Sequence, residues 1–191
     1  MKEKHTDDAF TISGYICLSK DRIKRRGGGV AAFVKQDLQP THINIQSTMQ
    51  HAEDFWFAVT LTTGLIINFC NCYHPPIYDS SEFIRHLSDN IGLMLETDPD
   101  SVFVLTADLN RLDTTELQTQ QGGDKIMNVP THNNNILDQF LTNQPELFTV
   151  QVAQSLVNPL DAKLIFANFP LAPDVFSSLK NVATPRELSY L

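Results

Sequence analysis

Cysteine is scarce in this chain of 191 residues, which contains only Cys17, Cys70 and Cys72. An odd number of cysteines cannot all pair within one chain, and no second group of Cys or His stands at zinc-binding spacing near them. Cys70 and Cys72 lie two residues apart in a strand-like run and are predicted to share one face. We therefore expect buried free thiols and a reducing compartment.

Long apolar runs are also missing. The longest apolar stretches are much shorter than the ~20 residues that a membrane helix needs. The chain does not open with the basic and apolar regions of a secretory signal. These absences predict an intracellular protein, nuclear or cytoplasmic, that is not secreted and makes no contact with a membrane.

Positive charge is in deficit, with 14 Lys and Arg against 22 Asp and Glu and a formal net charge of -8. Nonspecific nucleic-acid binders are usually basic, so any contact with DNA or RNA must be local. One candidate is the segment "KDRIKRRGGG", which contains Lys20, Arg22, Lys24, Arg25 and Arg26. This basic turn either contacts phosphates or is a solvated turn. The glycines at the end of this segment are not followed by the Lys-Ser/Thr of a phosphate-binding loop.

Hydrophobic residues make up 42% of the chain, enough for a packed core, and no repeat or linker divides it. Runs rich in β-forming residues predict strands. They are Phe10–Ser19, Val30–Lys35, "HINIQS", "DFWFAVTL", "LIINFCNCYH", "SVFVL", "LFTVQVA" and "KLIFANF". The fourth and fifth runs flank Thr62-Thr63-Gly64 and predict a hairpin.

Two segments have helical patterns. Asp79 and Glu82 form a capping pair, and Phe83, Leu87 and Ile91 mark one apolar face of a helix that extends to about Glu96. The segment "ILDQFLTNQ" predicts a second, short helix. Helices placed between strands indicate an α/β or α+β sandwich.

The strand that begins "SVFVL" ends in "TADLN", where Asp108 and Asn110 stand two residues apart. An extended chain would place both side chains on one side. A carboxylate can accept a proton from water, and a neutral amide can donate to an anion without repelling it. The alternative is an Asx turn that closes the strand.

The segments "RRGGGVAAFVK", "NCYHPP", "TADLN" and "THNNNILDQFLTN" occur in the order found in the endonuclease domain of non-LTR retrotransposons, which this chain resembles. That domain belongs to the endonuclease/exonuclease/phosphatase superfamily, a four-layered α/β sandwich. The resemblance covers residues 10–169 and implies one domain over residues 1–169, with 170–191 unassigned. It implies a Mg²⁺-dependent hydrolase that cuts a phosphodiester in DNA.

The resemblance also implies roles for individual residues. Asp108 would orient or deprotonate the attacking water, Asn110 would hydrogen-bond the scissile phosphate, and Tyr73 would donate a hydrogen bond to it. Thr131 and Asp138 match positions that support the site. The alternatives are a half-buried strand tyrosine for Tyr73 and a solvated position on the short helix for Asp138.

Three further expectations concern neighbours of this site. His74 is expected to be a surface residue, and Trp56 and Phe57 to be core residues. Ala107 stands where the family has Gly, so an unusual φ there would displace the turn.

Two departures from the family pattern predict impaired activity. The opening "MKEKHTDDAFTISGY" resembles the segment after the family's Glu-Thr-Trp-Leu motif, so the first strand and the main metal-binding Glu are expected to lie upstream of Met1. The family's final Ser-Asp-His aligns with Leu160, Asp161 and Ala162. Asp161 is retained as a catalytic candidate and a candidate Mg²⁺ ligand.

The sequence therefore predicts a remnant of a DNA endonuclease, weak or inactive. Two alternatives stay open. One is a noncatalytic nucleic-acid-binding module that uses the basic turn. The other is a phosphatase or sphingomyelinase-like phosphodiesterase of the same superfamily.

Overall fold

The computed structural model describes residues 12–22, 29–45, 49–131, 135–154 and 163–168, the backbone alone for 151–154 and 163–168. Its strands are β1 (Tyr15–Asp21), β2 (Gly29–Lys35), β3 (Thr41–His42), β4 (Glu53–Thr60), β5 (Ile66–Tyr73), β6 (Val102–Asp108), β7 (Asp124–Lys125), β8 (Asp138–Thr142), β9 (Thr149–Gln154) and β10 (Lys163–Asn168). Its α-helices are α1 (Ser80–Thr97) and α2 (Thr115–Gln121).

Six strands form the central sheet, in the order β3-β4-β5-β6-β8-β7. Strands β5 and β6 are parallel, with α1 in the connection between them, and the other pairs are antiparallel. Strands β1 and β2 form an antiparallel pair, and so do β9 and β10. The mixed α/β class predicted from the sequence is confirmed.

The central sheet is covered on both faces because alternate residues of its strands face two separate apolar clusters. Helix α1 packs Phe83, Leu87 and Ile91 on one face, against a cluster that includes Trp56, Cys70, Cys72, Phe103, Leu105 and Leu141. On the other face, strand β2 packs against a cluster that includes Phe55, Phe57, Phe69, Val104 and Phe140. The amide of Asn71 fastens this second contact by donating to the backbone oxygen of Ala31 at 2.7 Å.

The predicted capping pair begins α1. Asp79 is the N-cap, and its Oδ1 accepts the backbone N–H of Glu82 at 2.7 Å. Phe83, Leu87 and Ile91 recur at helical spacing and are fully buried. The long helix, the β4–β5 hairpin and the core positions of Trp56 and Phe57 are confirmed.

The predicted short helix over "ILDQFLTNQ" is wrong. Residues Asp138–Thr142 form strand β8, in which all five residues are buried. Phe140 and Leu141 face the two opposite clusters, which a strand between two layers allows and a helix on the surface would not. Pairing with β6 on one side and β7 on the other decided the conformation.

Two other predicted strands are shifted or shortened. The first strand runs from Tyr15 to Asp21, and Ile12 to Gly14 precede it as a turn, while residues 10 and 11 lie outside the described ranges. Of the described residues in "HINIQS", His42 alone belongs to a strand, the two-residue β3. Residues 43–45 are not in a strand, and 46–48 lie outside the described ranges.

Helix α2 was not predicted, since it lies in a polar segment without apolar periodicity. Its N-cap is Thr114, and the preceding Asp113 carboxylate accepts from the backbone N–H of Thr115 at 3.0 Å and from its hydroxyl at 2.7 Å. These bonds lower the pKa of Asp113. Gly122 ends the helix with φ +65°, a conformation that favours glycine.

The expected free thiols are confirmed, with Cys70 and Cys72 buried and Cys17 half-buried. Burial raises the pKa of the Cys70 thiol, which is consistent with an unreactive core residue. Within the described ranges, no helix combines the length and the apolar character required to traverse a bilayer.

Candidate functional site

Four neighbouring strands present polar side chains in one row at the same end of the central sheet. Glu53 pairs with Tyr73, Tyr73 with Asp108, and Asp108 with Asp138. Residues that pair laterally project from the same face of a sheet, here the face that β2 covers. Glu53, Asp108 and Asp138 are buried and Tyr73 is half-buried. We refer to these four residues as the carboxylate row.

The structure thus brings together Tyr73, Asp108 and Asp138, which the sequence had named from three separate segments. Side chains of residues directly opposite in an antiparallel pair have Cβ atoms about 4.5–5.5 Å apart, so the Asp108 and Asp138 carboxyl groups are neighbours. Asp161, the remaining catalytic candidate, lies outside the described residues, and its position in the site stays a prediction.

The end of β6 differs from the extended geometry expected for Asp108 and Asn110. The strand ends at Asp108, and Asn110 has φ +52°, in the left-handed region that Asn tolerates better than most residues. The backbone N–H of Asn110 donates to Asp108 Oδ1 at 3.2 Å, which is the geometry of an Asx turn. Asp108 therefore belongs both to this turn and to the carboxylate row.

The ends of β5 and β6 are tied together. The backbone N–H of His74 donates to the Asp108 carbonyl at 3.0 Å, and the Asn110 side-chain amide donates to the His74 carbonyl at 2.8 Å. Pro75 and Pro76 follow at once and stop β5. Ala107 lies inside β6 without a left-handed φ, so the expected displacement at this position is absent.

His74 is buried, with 4% of its surface exposed, so its predicted surface position is wrong. Its ring packs against Phe83 at 5.0 Å between centroids and lies beside Tyr78. Burial lowers the pKa of His74, an effect that a hydrogen bond with the backbone of Tyr78 partly offsets. Within the described residues the Nε2 atom has no hydrogen-bond partner. Burial therefore favours the neutral imidazole, whose ring packs against Phe83 of α1.

Thr131 fixes the start of β8. Its hydroxyl oxygen accepts the backbone N–H groups of Leu137 and Asp138, each at 3.1 Å, and it is 2% exposed. These two bonds fix the backbone at Asp138 and so position this residue in the carboxylate row. The predicted supporting role of Thr131 has a structural basis, and its effect on activity stays a prediction.

Arg22 also reaches this end of the sheet. Its Nε donates to Glu53 Oε1 at 2.7 Å, and its guanidinium carbon lies 5.4 Å from the centre of the Tyr73 ring. Lys20, two residues earlier in β1, binds Asp54 Oδ1 at 3.0 Å instead. The other cations of the basic turn, Lys24, Arg25 and Arg26, lie outside the described residues.

Glu53 was missed by sequence reasoning, although a signal for it exists. The two strand runs that flank the Thr62-Thr63-Gly64 turn have similar lengths, so counting outward from the turn places Glu53 opposite Tyr73. A carboxylate opposite the predicted phosphate-binding tyrosine would then have been a site candidate.

The described residues do not by themselves form a metal centre. No group of three His, Cys, Asp or Glu side chains within these ranges is arranged to hold an ion. Asp108 and Asp138 supply two oxygen-bearing groups, fewer than a dedicated protein cage for a hard cation. The expected Mg²⁺ site stays a prediction.

No protein-family model and no curated protein matches the chain. Solved structures do match. The endonuclease domain of TRAS1, a telomere-specific non-LTR retrotransposon, has a TM-score of 0.61 at 12% identity, over 84% of this chain and 82% of that one. The human Nocturnin catalytic domain with bound sulfate has a TM-score of 0.56 at 12% identity, over 81% of this chain and 72% of that one. The chain thus shares the α/β fold of these two solved domains.

Proposed function

We propose that this chain is a retrotransposon-type DNA endonuclease module that binds a phosphodiester of DNA at the carboxylate row and hydrolyses it weakly. The observation that carries the proposal is the lateral register Tyr73–Asp108–Asp138. In this register a phenol and two carboxylates lie side by side at one end of the central sheet. The fold shared with the TRAS1 endonuclease domain supports the same reaction class.

Each residue has a role that its surroundings permit. The Tyr73 hydroxyl donates a hydrogen bond to a nonbridging oxygen of the phosphate. Asp108, 2% exposed and held by the turn at Asn110, accepts the proton of the attacking water. Asn110 uses one amide N–H for the His74 carbonyl and offers the other to the phosphate.

The proposed reaction is a hydrolysis. The water oxygen forms a bond to phosphorus as its proton passes to Asp108, and the bond from phosphorus to the leaving oxygen breaks. The leaving oxygen takes a proton from solvent. Asp138 lies beside Asp108. The negative charge of Asp138 disfavours a second negative charge on Asp108 and so favours transfer of the proton to Asp108.

Weak turnover is expected because this chain lacks a histidine that the family uses in its final motif. In the sequence Ala162 aligns with the histidine of the family's final motif, and a methyl group cannot contact a phosphate or transfer a proton. The proposal therefore expects slow nicking by this chain, well below that of an endonuclease with a complete site.

The test is nicking of supercoiled plasmid DNA in Mg²⁺, with EDTA as the blank. Asp108→Asn keeps the size of the side chain and removes the proton acceptor, so we expect nicking to fall by about 10²- to 10⁴-fold or to background. The matched control is Asp89→Asn, which removes the charge of an exposed acid on α1, on the other side of the sheet. Tryptophan fluorescence and circular dichroism would verify that both variants fold.

Equal nicking by the wild-type chain and Asp108→Asn would contradict the hydrolase proposal. A second candidate function would then apply, a noncatalytic nucleic-acid-binding module. One observation favours it independently, namely the Arg22 guanidinium fixed beside Tyr73. DNA binding by a chain without Asp108-dependent nicking is the result that this candidate requires.

A further inference from the structure

A cation is held in place at one end of the carboxylate row. We infer that Arg22, fixed by Glu53 against the ring of Tyr73, binds a phosphodiester of the nucleic-acid strand next to the phosphate at Tyr73. Glu53 is the positioning residue for this contact. The inference rests on the proposed function insofar as it takes the strand to pass over the carboxylate row.

The bond to Glu53 occupies one donor of the Arg22 guanidinium. A guanidinium has five N–H donors, and the bond to Glu53 uses the one on Nε. The four N–H groups on the two Nη atoms form the fork that binds phosphate oxygens in a bidentate manner. The Arg22 side chain is 25% exposed, so a strand on the surface can reach this fork.

Two independent contacts hold the guanidinium. Glu53 is 4% exposed, and its Oε1 lies 2.7 Å from Arg22 Nε. The Tyr73 ring lies beneath the cation at 5.4 Å, within the range of a cation–π interaction. An arginine fixed in this way loses little conformational entropy when a phosphate binds.

Glu53 is suited to positioning. Its second oxygen, Oε2, is buried and has no hydrogen-bond partner within the described residues. Arg22 is therefore the main group that compensates the negative charge of the Glu53 carboxylate. Because this carboxylate is buried, it does not move with the guanidinium toward solvent. Lys20 differs from Arg22 because Glu53 does not hold it. Its ammonium binds Asp54, a carboxylate that also contacts Trp56 and His86.

The experiment measures binding of a fluorescein-labelled DNA duplex in EDTA, where no cleavage occurs, over a series of salt concentrations. For Arg22→Gln we expect affinity to fall about tenfold, since hydrogen bonds to charged groups contribute about that much. The slope of log K against log salt should become shallower by about 0.9, the value for one lost phosphate contact. Arg85→Gln, which removes an exposed cation from α1, should leave the slope unchanged.

The positioning role has its own readout. Glu53→Ala should weaken binding as much as Arg22→Gln does, and the double variant should be no weaker than either single one. Glu53→Gln, whose amide oxygen can still accept from Arg22 Nε, should recover most of the affinity. Tighter binding by Glu53→Ala would show that the glutamate only neutralises Arg22 and would overturn the assignment.

Inorganic phosphate distinguishes the source of the phosphate group. A strand contact predicts that Arg22→Gln weakens DNA binding while millimolar phosphate competes poorly. Arg22-dependent binding of phosphate without binding of DNA would overturn the assignment to a strand. The binding assay contains no Mg²⁺, so its result is independent of the nicking assay. If Asp108→Asn abolishes nicking while Arg22→Gln leaves the salt slope of binding unchanged, this inference is refuted and the proposed hydrolase is left intact.

Discussion

Asp54 is the residue whose removal we expect to destabilise the fold most clearly. It follows Glu53 in β4 and is 1% exposed. Its Oδ2 accepts from Trp56 Nε1 at 2.7 Å and lies 3.0 Å from His86 Nε2, while its Oδ1 lies 3.0 Å from Lys20 Nζ. The carboxylate thereby joins strand β1, strand β4 and helix α1.

The magnitude follows from what Asp54→Ala would leave behind. The indole N–H of Trp56 and the imidazole of His86 are both buried and would lose their acceptor, at about 1–3 kcal/mol for each group. The two losses sum to about 2–6 kcal/mol, a range that includes the usual cost of about 3–5 kcal/mol for removing one partner from a buried ion pair. Because the free energy of unfolding of native proteins is about 5–15 kcal/mol, this loss is a large part of the total stability.

The assay is urea denaturation followed by fluorescence, and Trp56 is the sole tryptophan of the sequence, so the signal comes from the site of the change. Asp89→Ala, at an exposed position of α1, should change the free energy of unfolding by about 0.5 kcal/mol or less. A loss below about 1 kcal/mol for Asp54→Ala, with an unchanged m-value, would refute the reasoning.

The pH dependence gives a second check on Asp54. Burial by itself raises the pKa of this carboxyl, but the hydrogen bond with His86, the charge of Lys20 and the bond from Trp56 outweigh it and lower the pKa. A lowered pKa contributes stability above the unfolded value of about 3.9 that is lost as pH falls through the folded pKa. The difference in stability between the wild-type chain and Asp54→Ala should therefore shrink below about pH 4.

Two further predictions concern His74 and the glycines at the start of β2 and inside α1. Because burial lowers the pKa of His74, the folded state resists its protonation, so stability should decrease from about pH 6.5 downward, and less so in His74→Gln, as measured by denaturation at several pH values. Gly29 has φ +143°, and a Cβ there would lie 2.6 Å from the Lys20 carbonyl oxygen, so Gly29→Ala should lower the free energy of unfolding by about 1–3 kcal/mol. Gly92→Ala, inside α1 with 3.5 Å to its nearest neighbour, should instead raise the free energy of unfolding by about 0.4–1 kcal/mol, and the opposite outcome for this pair would contradict the backbone argument.

Local pattern predicted the elements that local physics controls. The capping pair Asp79 and Glu82 and the apolar spacing that follows predicted α1, and the helix begins where the cap indicates. The hairpin of β4 and β5 was predicted because both strands are long, apolar and joined by a short turn. In the site, Tyr73 and Asp108 were identified by the segments around them, and the register places them side by side.

Pairing partners distant in sequence decided the rest. Residues 136–144 have a helical pattern in isolation, yet Asp138–Thr142 lies between β6 and β7 as a fully buried strand. His74 looked like a surface residue because a histidine next to prolines carries no sign of burial, whereas α1 covers it with Phe83.

The sequence by itself determined which chemical groups stand at the ends of β5 and β6, since side-chain identity and strand ends are local properties. Only the tertiary structure decided that Arg22 lies with Glu53 and Tyr73, while the Lys20 ammonium binds Asp54. The physical reason is that lateral strand register and the packing of β1 against β4 depend on the free energy of the whole assembled sheet. No short window of residues contains that free energy.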